Sequence, residues 1–167
     1  MNRRRERGVG LIEVLVSVVI LSIGLLAAAR MQVEGMRFSQ SAYHRSQAYF
    51  LASDIIDRMR ANGVGVRAGA YDGAETAAGL AAPDCAATGC SPAQIAQRDI
   101  AQWSAALHPA GAAGAAIAAL PSGPGIQAIG RIAAVGENAY TVTMSWAETV
   151  GGELAEESLS LSFVGQS

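Results

Sequence analysis

The chain predicts an α+β fold in which one long N-terminal helix, membrane-spanning in its first half, packs through its second half on a small C-terminal antiparallel sheet. Three observations predict it. Residues 9–29 hold a single charged side chain, Glu13. No proline occurs before Pro83, while apolar residues recur at helical spacing as far as Met59. Near the C-terminus Tyr140, Val142, Met144 and Trp146 alternate with Thr141, Thr143, Ser145 and Ala147, the period of a half-buried strand.

The first segment is a basic leader, residues 1–8. Arg3, Arg4, Arg5 and Arg7 stand against Glu6 directly before the apolar run. Basic clusters in that place are retained on the cytoplasmic side, so everything after Arg30 is expected outside the cytoplasm. As a helix, residues 9–29 would be about 31 Å long, which matches a hydrocarbon core of about 30 Å. Glu13 is the anomaly, because an acid at the centre of a membrane helix costs about 2.5–3.5 kcal/mol, and less near an interface. Its carboxylate, about one turn inside, either snorkels to the headgroups, is protonated, or meets a partner. The run could also be a secretory signal cut after Ala27-Ala28-Ala29. That reading needs an apolar region longer than the usual stretch of about 7 to 15 residues, with an acid inside it.

Residues 30–62 continue the same helix. Ala48, Leu51, Ala52, Ile55, Ile56 and Met59 mark one face, and Asp54 and Arg58 sit four apart on the wetter side. Asn62-Gly63 supplies a C-terminal stop. The rod would run from about Val9 to Ala61, near 80 Å, serving first as anchor and then as a wall of a globular head. Gly24 interrupts it with a residue costing about 1 kcal/mol relative to Ala, either for close helix packing or as a flexible joint.

Residues 63–89 are rich in Gly and Ala without periodicity and are expected to form a surface connection over the head. Cys85 and Cys90 close this stretch. Outside the cytoplasm two cysteines so spaced are best paired as a disulfide, whose small ring restricts the unfolded chain by about 2 kcal/mol. The alternative is a metal site, for which His44 and His108 are the only imidazoles and neither is near in sequence. Ser91-Pro92-Ala93-Gln94 then spells a capping box with Pro at the first helical position. The helix it opens, to about Leu107, should bury Ala96, Ile100, Trp103 and Leu107 and expose Gln97, Arg98 and Gln102; at this spacing Trp103 is core rather than a binding aromatic. His108-Pro109 ends it as a capping or surface histidine. Three strands complete the head: a weak one over 126–135 ended by Gly136-Glu137-Asn138, then the alternating run from Tyr140, then Leu159, Leu161 and Phe163 alternating with Ser158, Ser160 and Ser162. Val150-Gly151-Gly152-Glu153 suits a hairpin turn.

Composition bounds the function. Of 167 residues, 51% are hydrophobic but only 5% aromatic, enough for one modest core. All twelve basic residues are Arg; without the leader eight remain against thirteen acids, a net charge of −5. With no basic patch beyond the leader, nucleic-acid binding is not the expected activity. No Lys, two distant histidines and no nucleophile motif leave no set of residues to act as base, nucleophile and stabiliser, so an enzyme is not expected either.

Gly8-Val9-Gly10-Leu11-Ile12-Glu13-Val14-Leu15-Val16 resembles the start of type IV prepilins, where a short basic leader ending in Gly precedes Phe-Thr-Leu-Ile-Glu and an apolar helix. The resemblance implies a pilin fold, cleavage after Gly8 by a prepilin peptidase on the cytoplasmic face, and methylation of the new amine of Val9. It also implies that the helix later packs in a filament core, with Glu13 set against the N-terminal amine of a neighbouring subunit. In apolar surroundings an unpaired carboxylate and an unpaired ammonium are each costly, and together they offset one another. Val9 and Gly10 depart from the usual Phe and Thr, a difference that bears on methylation more than on cleavage. Residues 39–48, Ser-Gln-Ser-Ala-Tyr-His-Arg-Ser-Gln-Ala, and 52–62, Ala-Ser-Asp-Ile-Ile-Asp-Arg-Met-Arg-Ala-Asn, are similar to the minor pilins called type IV pilus modification proteins, the PilV family. A disulfide-pinned loop feeding a Trp-bearing helix fits that resemblance.

That family implies a minor pilin joining other minor pilins and the major pilin in a priming or tip complex, for pilus biogenesis, twitching motility and attachment. It implies a single-pass inner-membrane protein, N-terminus cytoplasmic and head periplasmic, that later stands on the pilus at the cell surface. Prepilin peptidase and the inner-membrane assembly machinery would be partners; no cofactor, metal or nucleic acid is implied. A type II secretion pseudopilin is the nearest alternative; the segment after the span and the longer head with its disulfide favour the pilus. A membrane-anchored adhesin or binding module is the other class; a self-sufficient anchor would retain Met1 and tolerate loss of Glu13.

Overall fold

The computed structural model describes residues 10–86, 89–109 and 119–165. Two compact units divide the chain, one ending at Gln40 and one beginning at Ser41. Helix α1, Leu11–Ala61, runs through both, so helix follows the span without a break at Gly24, where an added Cβ would meet nothing. Val9, expected in the first turn, lies outside the described residues.

In the first unit every described side chain is exposed, including Leu11 at 84% and Leu26 at 73%. Ser17 and Ser22 donate their hydroxyls to the carbonyls of Glu13 and Val18 at 2.7 Å, so both hydroxyls within the greasy run are satisfied by its own backbone.

In the second unit α1 buries Ala48, Ala52, Ile55, Ile56 and Met59. Within this unit full burial starts at Ala48, the first residue of the expected apolar face, where the helix joins the core shared with the sheet and the second helix. Asn62 ends α1 and caps a short helix, α2, Gly63–Arg67, its side chain accepting from the Gly65 amide at 3.2 Å. The loop-rich surface connection expected over 63–89 needs correction in its first part, 63–76. Besides α2, Tyr71 is fully buried, and residues 74–76 line the sheet edge: Ile132 N–H donates to the Ala74 carbonyl at 2.8 Å and Thr76 N–H to the Gly130 carbonyl at 2.9 Å. Gly and Ala left the sequence without an apolar period, and tertiary hydrogen bonding supplied the order instead.

Helix α3, Pro92–Leu107, opens on the expected capping box, with Gln94 N–H donating to Ser91 Oγ at 3.3 Å and Ser91 N–H to Gln94 Oε1 at 3.0 Å. Ala96, Trp103 and Leu107 are buried and Ile100 is half-buried. The sheet is an antiparallel meander, β1 (Ile129–Gly136), β2 (Ala139–Val150) and β3 (Glu153–Val164), in the order β1-β2-β3. β1 begins later than the expected Ile126, since Gly123 and Ile126 exchange two backbone hydrogen bonds in a tight turn. The β2–β3 hairpin turns on Gly151 and Gly152 at φ 63° and 96°, a conformation that suits glycine in a two-residue loop. On the core face Ile132, Val142 and Leu161 stand abreast, as do Gly130, Met144 and Leu159. Gly130 is bare because the Trp103 ring lies on it: a Cβ there would be 2.5 Å from two ring carbons. Trp103 Nε1 donates to the Leu51 carbonyl at 3.0 Å, so one indole ties α3, α1 and β1 together.

Candidate functional site

Glu13 lies in the first turn of α1, where the helix dipole favours a negative charge. Its amide donates to the Gly10 carbonyl at 2.9 Å and its carboxylate has no ion-pair partner among the described residues. Glu13, Val14, Ser17, Val18 and Leu21 line one shallow groove of about 280 Å³ along the helix. The surrounding stretch is apolar enough to cross a membrane by length and composition, and it is exposed throughout. An acid on a bare apolar helix is costly once water is excluded, and a cationic partner at the same depth offsets that cost. The expected cleavage pair, Gly8 and Val9, lies outside the described residues.

Cys85 and Cys90 form a disulfide with their Cα atoms 5.1 Å apart, just before the α3 capping box. It belongs to the head, far in sequence from Glu13. Among the described residues no three His, Cys, Asp or Glu gather as a metal site. His108 caps α3 as expected, yet it is half-buried, with Nε2 3.3 Å from Thr76 Oγ1, and burial pushes its imidazole below the ordinary value. His44 Nδ1 is buried and has no hydrogen-bond partner among the described residues.

A polar network in the head escaped the sequence reading. The Tyr71 hydroxyl donates to Asp99 Oδ2 at 2.7 Å and accepts from Asn62 Nδ2 at 3.1 Å, and Asn62 Nδ2 also donates to the Pro92 carbonyl at 2.8 Å. Arg58, paired with Asp54 at 3.0 Å, comes within 3.9 Å of the nearly buried Asp99. Burial first, and then the Asp99 hydrogen bond, push the Tyr71 phenol well above its ordinary value. Tyr140 donates to the Val66 carbonyl at 2.8 Å and is pushed up to about 12, mainly by burial and then by Asp72. These groups lock α1, α2 and α3 together. The one available signal was Asp99 itself, an acid on the Ala96–Trp103 side of α3, where a solvated charge does not belong.

Two family models match adjoining parts of the chain. The prokaryotic N-terminal methylation motif covers residues 3–29, and the type IV pilin Tt1218 model covers residues 30–101. No curated protein and no solved structure matches.

Proposed function

Taking as premise that this chain belongs to the type IV pilins, we propose that it acts as a minor pilin of the PilV type, in a complex that primes or tips the pilus. Membership with a methylation motif implies processing by prepilin peptidase and assembly into pili. In this reading the cut falls between Gly8 and Val9, the Val9 amine is methylated, and Glu13 becomes the fifth residue of the product. Before assembly α1 holds the protein in the inner membrane, with the head in the periplasm. Afterwards the same helix lies among those of other pilins, and the subunit serves pilus biogenesis, twitching motility and attachment.

The observation that carries the proposal is Glu13, a carboxylate without a basic partner among the described residues, on the exposed apolar first stretch of α1. Left alone in a membrane or a filament core it is destabilising by a few kcal/mol. An N-terminal ammonium on a neighbouring subunit supplies the opposite charge at the same depth, so the penalty becomes a selection for correctly registered partners. Pilin membership suggests a structural, non-enzymatic protein, and the disulfide-pinned head is a scaffold for contacts with other subunits.

Intact mass of the matured protein should begin at Val9, and Gly8→Arg should leave the leader attached. Glu13→Val should be cleaved yet absent from sheared pili. Normal incorporation of the Glu13→Val protein would remove the amine-pairing role, and a mature product that keeps Met1 would point to a plain membrane anchor.

A further inference from the structure

The two edges of the sheet are treated differently. β1 is flanked by residues 74–76 through the Ile132–Ala74 and Thr76–Gly130 backbone hydrogen bonds. β3 pairs with β2 alone, so along Glu153–Val164 one side of its backbone meets no other strand among the described residues. A strand edge of that length is a row of donors and acceptors ready to pair.

What stands beside this edge is apolar. Tyr49 and Phe50 of α1 are 53% and 64% exposed, and with Arg45, Ser46 and Leu159 they line an open groove of about 420 Å³. Leu159 and Leu161 sit on the core face of the sheet yet are only half-buried, because nothing described lies on the outer side of β3 to cover them. The charge on this edge is one-sided. β3 carries Glu153, Glu156 and Glu157 and no basic residue. Arg45 draws Glu157 to 3.9 Å, while Glu153 and Glu156 have no ion pair among the described residues.

We propose that the β3 edge and the adjoining Tyr49–Phe50 groove form a docking site for an extended segment of another polypeptide, which adds to the sheet as a fourth strand. Its backbone pairs with β3, and its alternate apolar side chains enter the groove over Phe50 and Leu159. Basic residues at its end nearest Glu153 and Glu156 set its direction. A second copy of β3 offers no complementary charge, so the occupant is a different chain. The site uses residues of the head alone and stands whether or not Glu13 pairs with a terminal amine.

The test is peptide binding to the full-length protein in detergent micelles, followed by fluorescence anisotropy. The probe is a labelled nine-residue peptide alternating Thr and Val and ending in two Arg, which would place the bases beside Glu153 and Glu156 in antiparallel pairing. Two further peptides are N-methylated on alternate amides, one on each set. In a strand addition only one set of amides faces β3, so one methylated peptide should lose at least about tenfold in affinity and the other should stay within about twofold. Phe50→Ser should weaken the parent peptide about tenfold, and Glu156→Arg about threefold at low salt and less at high salt. Unchanged fluorescence of the buried Trp103 and Trp146 would show that both variants are folded. No binding of the parent peptide at about 1 mM overturns the proposal. So do equal losses for the two methylated peptides, indifference to Phe50→Ser, or equal affinity for a peptide ending in two Glu.

Discussion

Gly130→Ala should destabilise the head far more than one methyl group suggests. Trp103 is fully buried, and its Cη2 and Cζ2 atoms lie 2.5 Å from where a Cβ on Gly130 would stand, with Met144 Sδ at 3.1 Å. Carbon atoms pack at about 3.5–4.0 Å, so the ring must retreat by about 1 Å. It has little room, since its Nε1 is held 3.0 Å from the Leu51 carbonyl. Overpacking of this kind costs about 1–3 kcal/mol, and stretching a buried hydrogen bond adds about 1 kcal/mol. The expected loss is therefore about 2–4 kcal/mol. It can be measured by urea unfolding of the full-length protein in micelles, followed by the fluorescence of its two tryptophans, both buried in the head. The mechanism predicts a coupling as well as a loss. Trp103→Phe removes the ring carbons that collide, so Gly130→Ala with Trp103→Phe should be more stable than the sum of the single losses by at least about 1 kcal/mol. Additivity within about 0.5 kcal/mol would refute the assignment of Gly130 as the seat of the indole.

Other expectations follow from the head's polar groups. Tyr71→Phe leaves Asp99 without its 2.7 Å donor and with Arg58 only at 3.9 Å, and a hydrogen bond to a nearly buried charge is worth about 1.5–3 kcal/mol. A fall of about 2 kcal/mol is expected in the same unfolding assay; a change below about 0.5 kcal/mol would show that water satisfies Asp99. His108 has its folded value lowered by burial. Its contribution to stability is fully present above the ordinary imidazole value near 6.5 and is lost as pH falls through the lowered folded value. His108→Gln should therefore flatten the stability profile between pH 7 and 5 relative to the parent, and an unchanged slope would mean that the ring is free to protonate in place.

The legibility of these parts differs for physical reasons. The capping box of Ser91 and Gln94 and the Gly151-Gly152 turn were plain because each is a local solution to a local problem, orphan amides in one case and positive φ in the other. Trp103 was placed in the core by helical spacing, but the partner that receives it, a bare Gly130 on a strand twenty-seven residues later, carries no signal of its own. The order in residues 63–76 was hidden altogether: α2 has two apolar side chains, and Tyr71 is buried through a hydroxyl contact with Asp99 that no period announces.

What the sequence determined by itself was everything that follows from a repeat or a charge count along the chain: a helix apolar enough to cross a bilayer, one acid within it, a basic leader before it, and strands alternating toward one face. These are properties of the chain against water and lipid, and they need no partner in the fold. The tertiary structure alone decided where α1 begins to be buried, which edge of the sheet is left unpaired among the described residues, and how Asn62, Tyr71, Asp99 and Arg58 meet. Each of those depends on groups far apart in sequence coming within a few ångströms, and the free energy of such contacts is set by geometry that a one-dimensional pattern does not carry.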